Sequence, residues 1–575
     1  MLVGYSGRIT SISSLLPDNG LAGLAGALNA VGVKPKIMDL STIDSLRRMT
    51  PTECTEKLQS ILRTLQYVNQ HRWNPFSLIK GVLAMRDLKA VDAALKKAQE
   101  RFVREKAEEI IADAKREGYG FIGFKLWNGD GFEGTVMMAE MVKKALPDIK
   151  IFFGGPQAQF FRERIYRFAP SVDAIAISDG EKNIQDLMEF VYEGRKLSSI
   201  NGIIYRDSTG NIVSTPIRWE ADMRALPLPD YSRETYPSLY NNEKISIFVV
   251  EDIRGCNNGC SFCVIPHLCG GLMRPKGDER TADEIEQIVS ETGSHMIRRG
   301  GAASTSASLI GSMEELNRRG IWTNSSSFGR INDMSNLTPA QFQFLKDSGL
   351  VALFYGVEAE SDEKLKLMNK KLTVSATEDT IKKTRDAGIM VAGSIIYPNS
   401  YDTLTTRRRL VDMIKRTGID SVLLQFLGVY PGTAVALTPE RFGVEIVYPS
   451  WLDNLKVLLG LKRKPSYYDD EIQDYLITYK IKTQVLPKYW EPLPWKINGM
   501  SYRRYADETT SLYREILSGG TAMKLTDEEI LMAKCAGIPL MEMSSMCFEA
   551  AFTSGWQLYK KMLQMINQGV SKRIL

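Results

Sequence analysis

The chain has 575 residues, of which 44% are hydrophobic and 25% are charged, a balance typical of a folded protein with more than one domain. Its net charge is only +5, and basic residues are scattered among nearly as many acids, so composition gives a nucleic-acid partner no support. Because no long apolar run predicts a membrane span and the start MLVGYSGRIT lacks the pattern of a secretory signal, we expect a cytoplasmic protein.

Residues 1 to about 215 predict an α/β domain. Short apolar strands are expected at 2–5, 36–39, 120–126, 149–153 and 173–177, separated by helices such as 20–31 and the one that follows Gly134. A charged stretch at about 43–118 predicts a helical insertion. This alternation is typical of a doubly wound, Rossmann-like parallel sheet, in which ligands bind outside the carboxyl ends of the strands.

The predicted strand ends in this domain are rich in glycine. They read Gly4–Gly7, Trp127–Gly131, Gly154–Gln157 and Ser178–Glu181. Glycine lets a backbone approach a ligand closely, but it also makes tight turns between strands and helices. The strand ends alone leave both interpretations open.

Residues 216–243, with the run Pro-Leu-Pro-Leu-Pro-Asp, predict an interdomain linker. A second alternation over 244–440 has expected strands at 245–250, 321–324, 351–356, 389–396 and 422–427. About six such strands predict a partial (β/α)6 barrel of the TIM type with its site at the carboxyl ends. Residues 441–575 predict a mostly helical, aromatic domain, which suits a cap over a substrate or plain packing onto the barrel.

Three cysteines, Cys256, Cys260 and Cys263, follow the first strand of the second alternation. Three thiolates can hold three irons of a cubane cluster and leave the fourth iron open to a chelating small molecule. A structural zinc site with His267 is the competing interpretation, although such sites more often use paired CxxC knuckles. Cys269 lies six residues further on and is either a spare thiol or a loop-packing residue.

At these residues the chain resembles the radical S-adenosylmethionine (SAM) superfamily, whose signature is CxxxCxxC with an aromatic residue, here Phe262, before the last cysteine. The resemblance covers about 245–435 and includes Gly300–Ser304, which lacks the usual acidic residue, Tyr355–Ser361 followed by Asn369-Lys370, and Tyr430–Thr433. It implies a 4Fe–4S cluster that cleaves bound SAM to methionine and a 5′-deoxyadenosyl radical. The SAM contacts that it implies are Gly300, Gly301, Ser304, Asn324, Glu358 and Pro431.

The first domain resembles the cobalamin-binding domain that precedes many radical SAM cores. The matching residues are Pro17–Leu21, Gly154–Pro156 and Ser178–Glu181, while Gln157 stands where a histidine is common. No Asp-x-His-x-x-Gly motif occurs, so a histidine ligand below the cobalt is not expected. The implied cobalamin contacts are Ser6, Trp127, Gly129, Gly131, Gly154, Gly155, Pro156, Gln157, Ser178, Gly180 and Glu181. The alternative is a degenerate domain that docks a substrate or nothing.

With both cofactors, the resemblance implies methylation of an unactivated carbon in a natural-product, peptide or cofactor precursor. Cyclisation, ring contraction and carbon–carbon coupling use the same cofactors, and a non-catalytic iron–sulfur electron carrier or sensor is the alternative from another class. The expected partners are a small-molecule or peptide substrate and an electron donor of the flavodoxin or ferredoxin type. The motifs identify no catalytic side chain.

Overall fold

The computed structural model describes residues 1–71, 74–220, 222–447, 450–464, 471, 474–478, 495–500 and 502–574. The chain divides into two compact units. The first unit contains Met1–Glu220, Leu226–Ser246 and Ser545–Gly569, and the second contains Ala221–Ala225, Ile247–Ser544 and Val570–Leu575.

The first unit is built on a seven-stranded sheet. Its strands are β1 (Leu2–Gly4), β2 (Ile37–Asp39), β3 (Phe121–Lys125), β4 (Lys150–Gly154), β5 (Ala174–Ala176), β6 (Ile203–Arg206) and β7 (Ile212–Ser214). The order is β2-β1-β3-β4-β5-β6-β7, with β1 to β5 parallel and β6 and β7 antiparallel. Strand order reverses between β1 and β3, which is where open α/β sheets bind ligands.

Seven α-helices lie between β1 and β6 among the described residues. They are α1 (Asn19–Asn29), α2 (Ile43–Met49), α3 (Thr52–Gln70), α4 (Pro75–Glu117), α5 (Asp130–Ala145), α6 (Pro156–Phe161) and α7 (Gly180–Tyr192). The Asp18 side chain caps α1 by accepting a hydrogen bond from the Leu21 N–H at 3.0 Å. Gly118 ends α4 in the left-handed region, with φ at 70°. The predicted charged insertion thus forms α2, α3 and α4.

The second unit contains an eight-stranded sheet. Its strands are β8 (Phe248–Gly255), β9 (Met273–Pro275), β10 (Met296–Ser304), β11 (Asn324–Gly329), β12 (Leu350–Glu358), β13 (Met390–Ile396), β14 (Ser421–Gln425) and, after the separate antiparallel pair β15 (Val444–Ile446) and β16 (Trp495–Ile497), β17 (Ala522–Met523). The order β17-β14-β13-β12-β11-β10-β8-β9 is parallel except at β9. This arrangement confirms the predicted fold class, a parallel sheet followed by a partial barrel.

Fourteen α-helices follow β8 in the described part of the chain, and several of them connect the parallel strands. They are α8 (Ile265–Leu268), α9 (Asp278–Thr292), α10 (Ser306–Arg318), α11 (Ile331–Met334), α12 (Pro339–Asp347), α13 (Asp362–Leu367), α14 (Val374–Asp386), α15 (Leu404–Thr417), α16 (Ala434–Leu437), α17 (Trp451–Leu458), α18 (Tyr502–Ser518), α19 (Asp527–Ala536), α20 (Leu540–Thr553) and α21 (Trp556–Asn567). Leu353, Val391 and Val422 on the strands pack with Ile381 and Ile414 on the helices in the main apolar core.

One strand lies later in the chain than the sequence predicts. We expected a strand at 321–324, but β11 begins at Asn324 and runs through three consecutive serines to Gly329. Apolar patterning cannot reveal such a strand. The Ser326 hydroxyl donates to Asp527 at 2.9 Å and the Ser327 hydroxyl donates to Ser304 at 2.8 Å, which is why these two buried serines are tolerated, while the Ser325 hydroxyl is buried without a hydrogen-bond partner.

The expected linker packs as part of the first unit rather than as an extended spacer. Residues 226–246 belong to that unit, where Tyr231 and Tyr236 are buried. The Tyr236 hydroxyl donates to Asp39 at 2.5 Å and accepts from the Asp18 N–H at 2.8 Å. The proline pattern of residues 216–243 predicts irregular backbone, but it cannot show that Tyr231 and Tyr236 anchor this segment.

The helices expected as one C-terminal domain are divided between the two units. Ser545–Gly569, which includes α21, belongs to the first unit. There the Asn567 side chain donates to the Lys244 carbonyl and accepts from the Ser246 N–H, each at 2.9 Å. Helix α19 stays in the second unit and packs against β11, β12 and β13.

Within the described part of the chain, no single helix is long and apolar enough to cross a membrane. Helices α19 and α20 pass that test only together, by length and composition, and they bend by 110° where they meet.

Candidate functional site

The three cysteines of the signature lie on an irregular loop directly after β8. Cys256, Cys260 and Cys263 are free and partly buried, and the Asn258 N–H donates to the Cys256 sulfur at 3.4 Å. Gly255 precedes the loop with φ at 84°, and a β-carbon there would lie 2.3 Å from a backbone oxygen. Only glycine therefore starts this loop without strain.

Two other segments of the second unit hold this loop in place. The Ser261 N–H donates to the Met368 carbonyl at 2.9 Å, and the Asn369 side chain donates to the Gly259 carbonyl at 2.6 Å. From the Pro-Gly-Thr turn, the Val435 N–H donates to the Ser261 carbonyl at 3.0 Å. The motifs after β12 and β14 thus meet at the cysteine loop.

An ion pair lies beside these thiols. Glu358 ends β12 with φ at 65°, and its carboxylate is 2.8 Å from the Lys370 ammonium group. Burial opposes the charge on Lys370, but Glu358 and the thiols of Cys260 and Cys263 outweigh it, so the pKa of Lys370 is raised. The sequence offered Lys370 only as part of a motif, and it was not among the predicted site residues.

Burial raises the pKa of the Cys260 thiol and raises the pKa of the Cys263 thiol to about 11. Both are therefore protonated near neutral pH unless a metal displaces the proton. Among the described residues, no three His, Cys, Asp or Glu side chains converge on a single metal ion. A cubane cluster sets a different requirement, because each thiolate binds its own iron. A set of three thiolates on one held loop fits such a cluster.

Several residues predicted to contact SAM lie towards the same end of the barrel. Glu358 and Pro431 belong to the segments that hold the loop. Gly300 and Gly301 lie on β10 next to β8, which leads into it. A β-carbon on Gly301 would lie 2.1 Å from the Ile253 carbonyl oxygen, so this position requires glycine for strand packing as well. These four remain predictions for SAM binding.

Two other predicted SAM residues are engaged elsewhere. Ser304 is buried, and its hydroxyl donates to Asp252 at 3.0 Å. Asn324 lies at the amino end of β11, where its side chain donates to the Lys572 carbonyl at 2.8 Å and accepts from the Ile574 N–H at 2.9 Å. The structure therefore places Asn324 at the end of the strand opposite to the cysteine loop, and both side chains have structural partners.

The residues predicted to bind cobalamin follow β1, β3, β4 and β5, which are adjacent parallel strands and so end at one edge of the first sheet. Ser6 pairs with Ser41 at 2.8 Å between hydroxyl oxygens. A β-carbon on Gly131 would lie 2.9 Å from the Ser6 carbonyl oxygen and from Trp127, so glycine brings these two strand ends together. Gly129, with φ at 57°, begins the turn into α5.

The ends of β4 and β5 complete this edge. Gly155, with φ at 95°, and Pro156 start α6 and are exposed, and Gln157 is half-buried. The neighbouring Gly154 ends β4. Beyond β5, Gly180 and Glu181 begin α7.

Two features of this edge fit a large amide-bearing ligand. The Ser178 hydroxyl is buried without a hydrogen-bond partner, a state that a bound polar group would relieve. Gly154 has no side chain, and a β-carbon there would meet only Ala176, at 3.7 Å. The edge thus offers both an unsatisfied donor and an open backbone surface, which suits a corrin with its amide side chains.

Sequence reasoning missed one charged pair at this edge. The Lys125 ammonium group is 2.7 Å from Asp18 and 5.0 Å from the centre of the Trp127 ring. The charge of Lys125 helps to lower the pKa of Asp18 against the opposing effect of burial. His71, the one histidine in residues 1–215 of the sequence, directly follows α3, and its ring stacks on Tyr67 with 4.3 Å between the ring centres.

Two family profiles match the chain. The radical SAM superfamily matches residues 250–414 and the B12 binding domain matches residues 74–188. The first match contains the cysteine loop, β10 and Glu358. The second contains the ends of β3, β4 and β5.

Curated relatives are similar over about half of this chain. An uncharacterized methyltransferase of Pyrococcus horikoshii is 24% identical over 302 residues, which are 52% of this chain and 64% of the relative. The anaerobic magnesium-protoporphyrin IX monomethyl ester cyclase of Rubrivivax gelatinosus is 26% identical over 287 residues, 48% of this chain and 50% of the relative. The chain thus spans less than two thirds of the length of either protein.

A solved structure shares the fold along nearly the whole chain. The radical S-adenosylmethionine methyltransferase TsrM from Kitasatospora setae, solved with cobalamin and a [4Fe-4S] cluster bound, aligns with a TM-score of 0.62 at 13% identity, covering 99% of both chains. The two domain types imply a 4Fe–4S cluster, SAM and cobalamin as cofactors. With a B12-binding domain at residues 74–188 before a radical SAM core at residues 250–414, this chain combines the two domain types of a cobalamin-dependent radical SAM protein.

Proposed function

We propose that this chain is a methyltransferase that methylates an unactivated carbon of a natural-product, peptide or cofactor precursor. The observation that carries the proposal is the held three-cysteine loop in a chain that also has a ligand edge of the B12-binding type. The similarity to the methyltransferase of Pyrococcus horikoshii and the fold shared with TsrM support methyl transfer.

In this proposal each group of residues binds one cofactor. Cys256, Cys260 and Cys263 hold the cluster, while Glu358 and the turn at Pro431 position SAM next to it. When bound, the cluster with SAM supplies a carbon-centred radical, and cobalamin supplies the methyl group. The ends of β1, β3, β4 and β5 would hold the corrin, and the Ser178 hydroxyl would serve as a hydrogen-bond donor at this edge.

The protein also sets the conditions of the chemistry. The ion pair between Lys370 and Glu358 keeps one positive and one negative group next to the cluster loop. Because both side chains are largely buried, water screens these charges only weakly. Electrons come from a small donor of the flavodoxin or ferredoxin type in this proposal. The substrate is a small molecule or a peptide.

A cyclase that uses the same cofactors is the second candidate. The similarity to the magnesium-protoporphyrin IX monomethyl ester cyclase of Rubrivivax gelatinosus favours it specifically. The two candidates differ in the fate of the SAM methyl group, which enters the product only in methyl transfer.

The first experiment is an anaerobic absorption spectrum of protein purified from cobalamin-supplemented cells and reconstituted with iron and sulfide. We expect corrin bands together with cluster absorption, at about one cobalamin per chain. Cys260→Ala should lose the cluster and keep the corrin. Cys269→Ala is the matched control, because this buried thiol accepts from the Cys256 N–H at 3.3 Å but is outside the signature. Cluster absorption without corrin would refute the proposal.

The second experiment follows the methyl group. The holoprotein, a chemical reductant and SAM with a deuterated methyl group are incubated with a panel that contains porphyrin esters, aromatic amino acids and peptides. Methyl transfer predicts 5′-deoxyadenosine, S-adenosylhomocysteine and a labelled product. An unlabelled, cyclised product with 5′-deoxyadenosine alone would favour the cyclase.

A further inference from the structure

Helix α17 presents a continuous apolar face to solvent. Leu458 is 81% exposed, Trp451 is 76% exposed and Leu461, just after the helix, is 75% exposed. The other members of this face are also exposed. They are Leu452, Leu455 and Leu459. A contiguous apolar patch of this kind on an otherwise polar surface marks an interaction site.

The spacing of these residues places them on one side of the helix. Trp451, Leu452, Leu455, Leu458 and Leu459 follow the i, i+1, i+4, i+7, i+8 pattern of a single helical stripe. Burial of that stripe inside the unit would be the usual outcome, but here it faces outward.

The other side of α17 anchors the helix. Val457 is partly buried and packs against the apolar cluster that contains Leu427, Val435, Phe442 and Ile446. The Ser450 hydroxyl caps the helix by accepting from the Asp453 N–H at 3.3 Å. The docked side thus fixes the orientation in which the leucine face points away from the unit.

Basic residues accompany this apolar face. Gly460, with φ at 70°, ends the helix and leads into Leu461 and the run Lys462-Arg463-Lys464. Together with Lys456, residues 450–464 contain four basic side chains and one acid, Asp453. Asp453 lies 3.8 Å from Lys456 and 3.5 Å from Lys462, and Lys462 is also 3.7 Å from Glu471. Four basic residues against one acid still give these fifteen residues a net charge of +3, while the whole chain carries only +5.

We propose that α17 and residues 459–464, here called the α17 segment, bind the surface of an anionic lipid bilayer. The leucines and Trp451 enter the boundary between headgroups and acyl chains, and the basic run contacts the phosphates. This is attachment to one face of a bilayer and involves no membrane-spanning helix. It is independent of the proposed function, because it requires neither cofactor nor substrate.

The composition of the face favours lipid over a protein partner. Protein interfaces gain most of their affinity from tyrosine, tryptophan and arginine in well-packed pockets, and leucine is under-represented among such residues. The α17 face has five leucines and one aromatic side chain, flanked by lysine and arginine. That is the composition of a helix that lies in a membrane interface.

The test is flotation of the full-length holoprotein with vesicles. We expect binding to phosphatidylcholine vesicles that contain about one third phosphatidylglycerol, weak binding to pure phosphatidylcholine, and release as salt is raised past the point where the Debye length falls to a few ångströms. The double variant Leu458→Glu/Leu459→Glu should lower the bound fraction on anionic vesicles about tenfold or more, because two carboxylates then face the acyl chains.

The matched control is Leu404→Glu. Leu404 is the first residue of α15 in the same unit and is 74% exposed, but it is not part of a stripe of exposed leucines. Its replacement should therefore leave vesicle binding unchanged. Far-ultraviolet circular dichroism and cluster absorption establish that each variant is folded. Failure of the wild-type protein to float, or equal flotation of the double variant, would overturn the proposal. So would a wild-type dimer in sedimentation velocity that the double variant converts to a monomer, because the face would then join two copies of the chain.

Discussion

Replacing Lys370 with methionine is the sharpest test of the charge arrangement at the cysteine loop. Lys370 is the cationic partner of Glu358, with 2.8 Å between their charged atoms and side-chain exposures of 16% and 7%. Methionine keeps most of the packing volume and removes only the charge. The buried carboxylate of Glu358 is then left next to Cys260 and Cys263 without its counter-ion.

Two magnitudes follow from this geometry. Removing one partner of a fully buried pair costs about 3–5 kcal/mol of folding free energy. Because Lys370 keeps some contact with water, we expect the low end, about 3 kcal/mol. A unit charge about 8–16 Å from the cluster contributes about 1–2 kcal/mol at an effective dielectric constant of about 20. Loss of this cation should therefore lower the reduction potential of the cluster by about 40–90 mV.

The assay is a redox titration of the reconstituted protein without SAM, followed by electron paramagnetic resonance, together with urea unfolding. Glu358→Gln should shift the potential in the opposite direction, because it leaves Lys370 unopposed. Lys364→Met is the control for stability, since Lys364 is more deeply buried than Lys370, with 7% of its side chain exposed, and pairs with Glu360 at 3.0 Å and with Asp402. Lys364→Met should destabilise the fold and leave the reduction potential of the cluster unchanged.

A shift of the cluster's reduction potential in the same direction in Lys370→Met and Glu358→Gln would contradict the charge arrangement described above. A shift in Lys364→Met as large as that in Lys370→Met would also contradict it, because general loosening of the unit would then explain the effect.

Three further predictions follow. Burial raises the pKa of Cys263 to about 11, so binding of iron must displace a proton from this thiol. At limiting iron, the amount of iron bound per chain should therefore rise between about pH 6.5 and about pH 8.5. A flat pH profile would contradict this. Asp186 is fully buried among Lys182 at 3.1 Å, Arg195 at 2.7 Å and Arg218 at 3.0 Å, and burial would raise its pKa, but hydrogen bonds from Lys182 and Arg218 hold that pKa below the ordinary value. Asp186→Asn should therefore cost about 3 kcal/mol in urea unfolding at pH 7, and the difference should shrink as pH falls below about 4, where the carboxyl becomes protonated. Asn324→Ala should cost about 2 kcal/mol and leave the dissociation constant for SAM unchanged in equilibrium dialysis, whereas a SAM contact would weaken binding.

Short-range sequence patterns determined the cysteine motif and the positions of several strands. The three cysteines at spacings of four and three, with Phe262 before the last, need only one short loop to act together, so sequence alone reveals them. Several of the parallel strands were equally legible, because a strand buried on both faces is a short apolar run bounded by glycine, but β10 was not predicted as a strand. That pattern located β1, β3, β4, β12 and β13 to within two residues.

The tertiary structure alone decided which side chains meet. Asn324 follows the pattern of a strand-end ligand, yet its partners are Lys572 and Ile574, about 250 residues away. Strand β11 was misplaced because serines, two of which donate to Asp527 and Ser304, replace the apolar residues that a buried strand usually shows. Lys370 gains its role from Glu358 and from a loop more than a hundred residues earlier in the chain. Periodicity reports which face of an element is buried, but the partner of a buried polar group depends on the contacts that long-range packing creates.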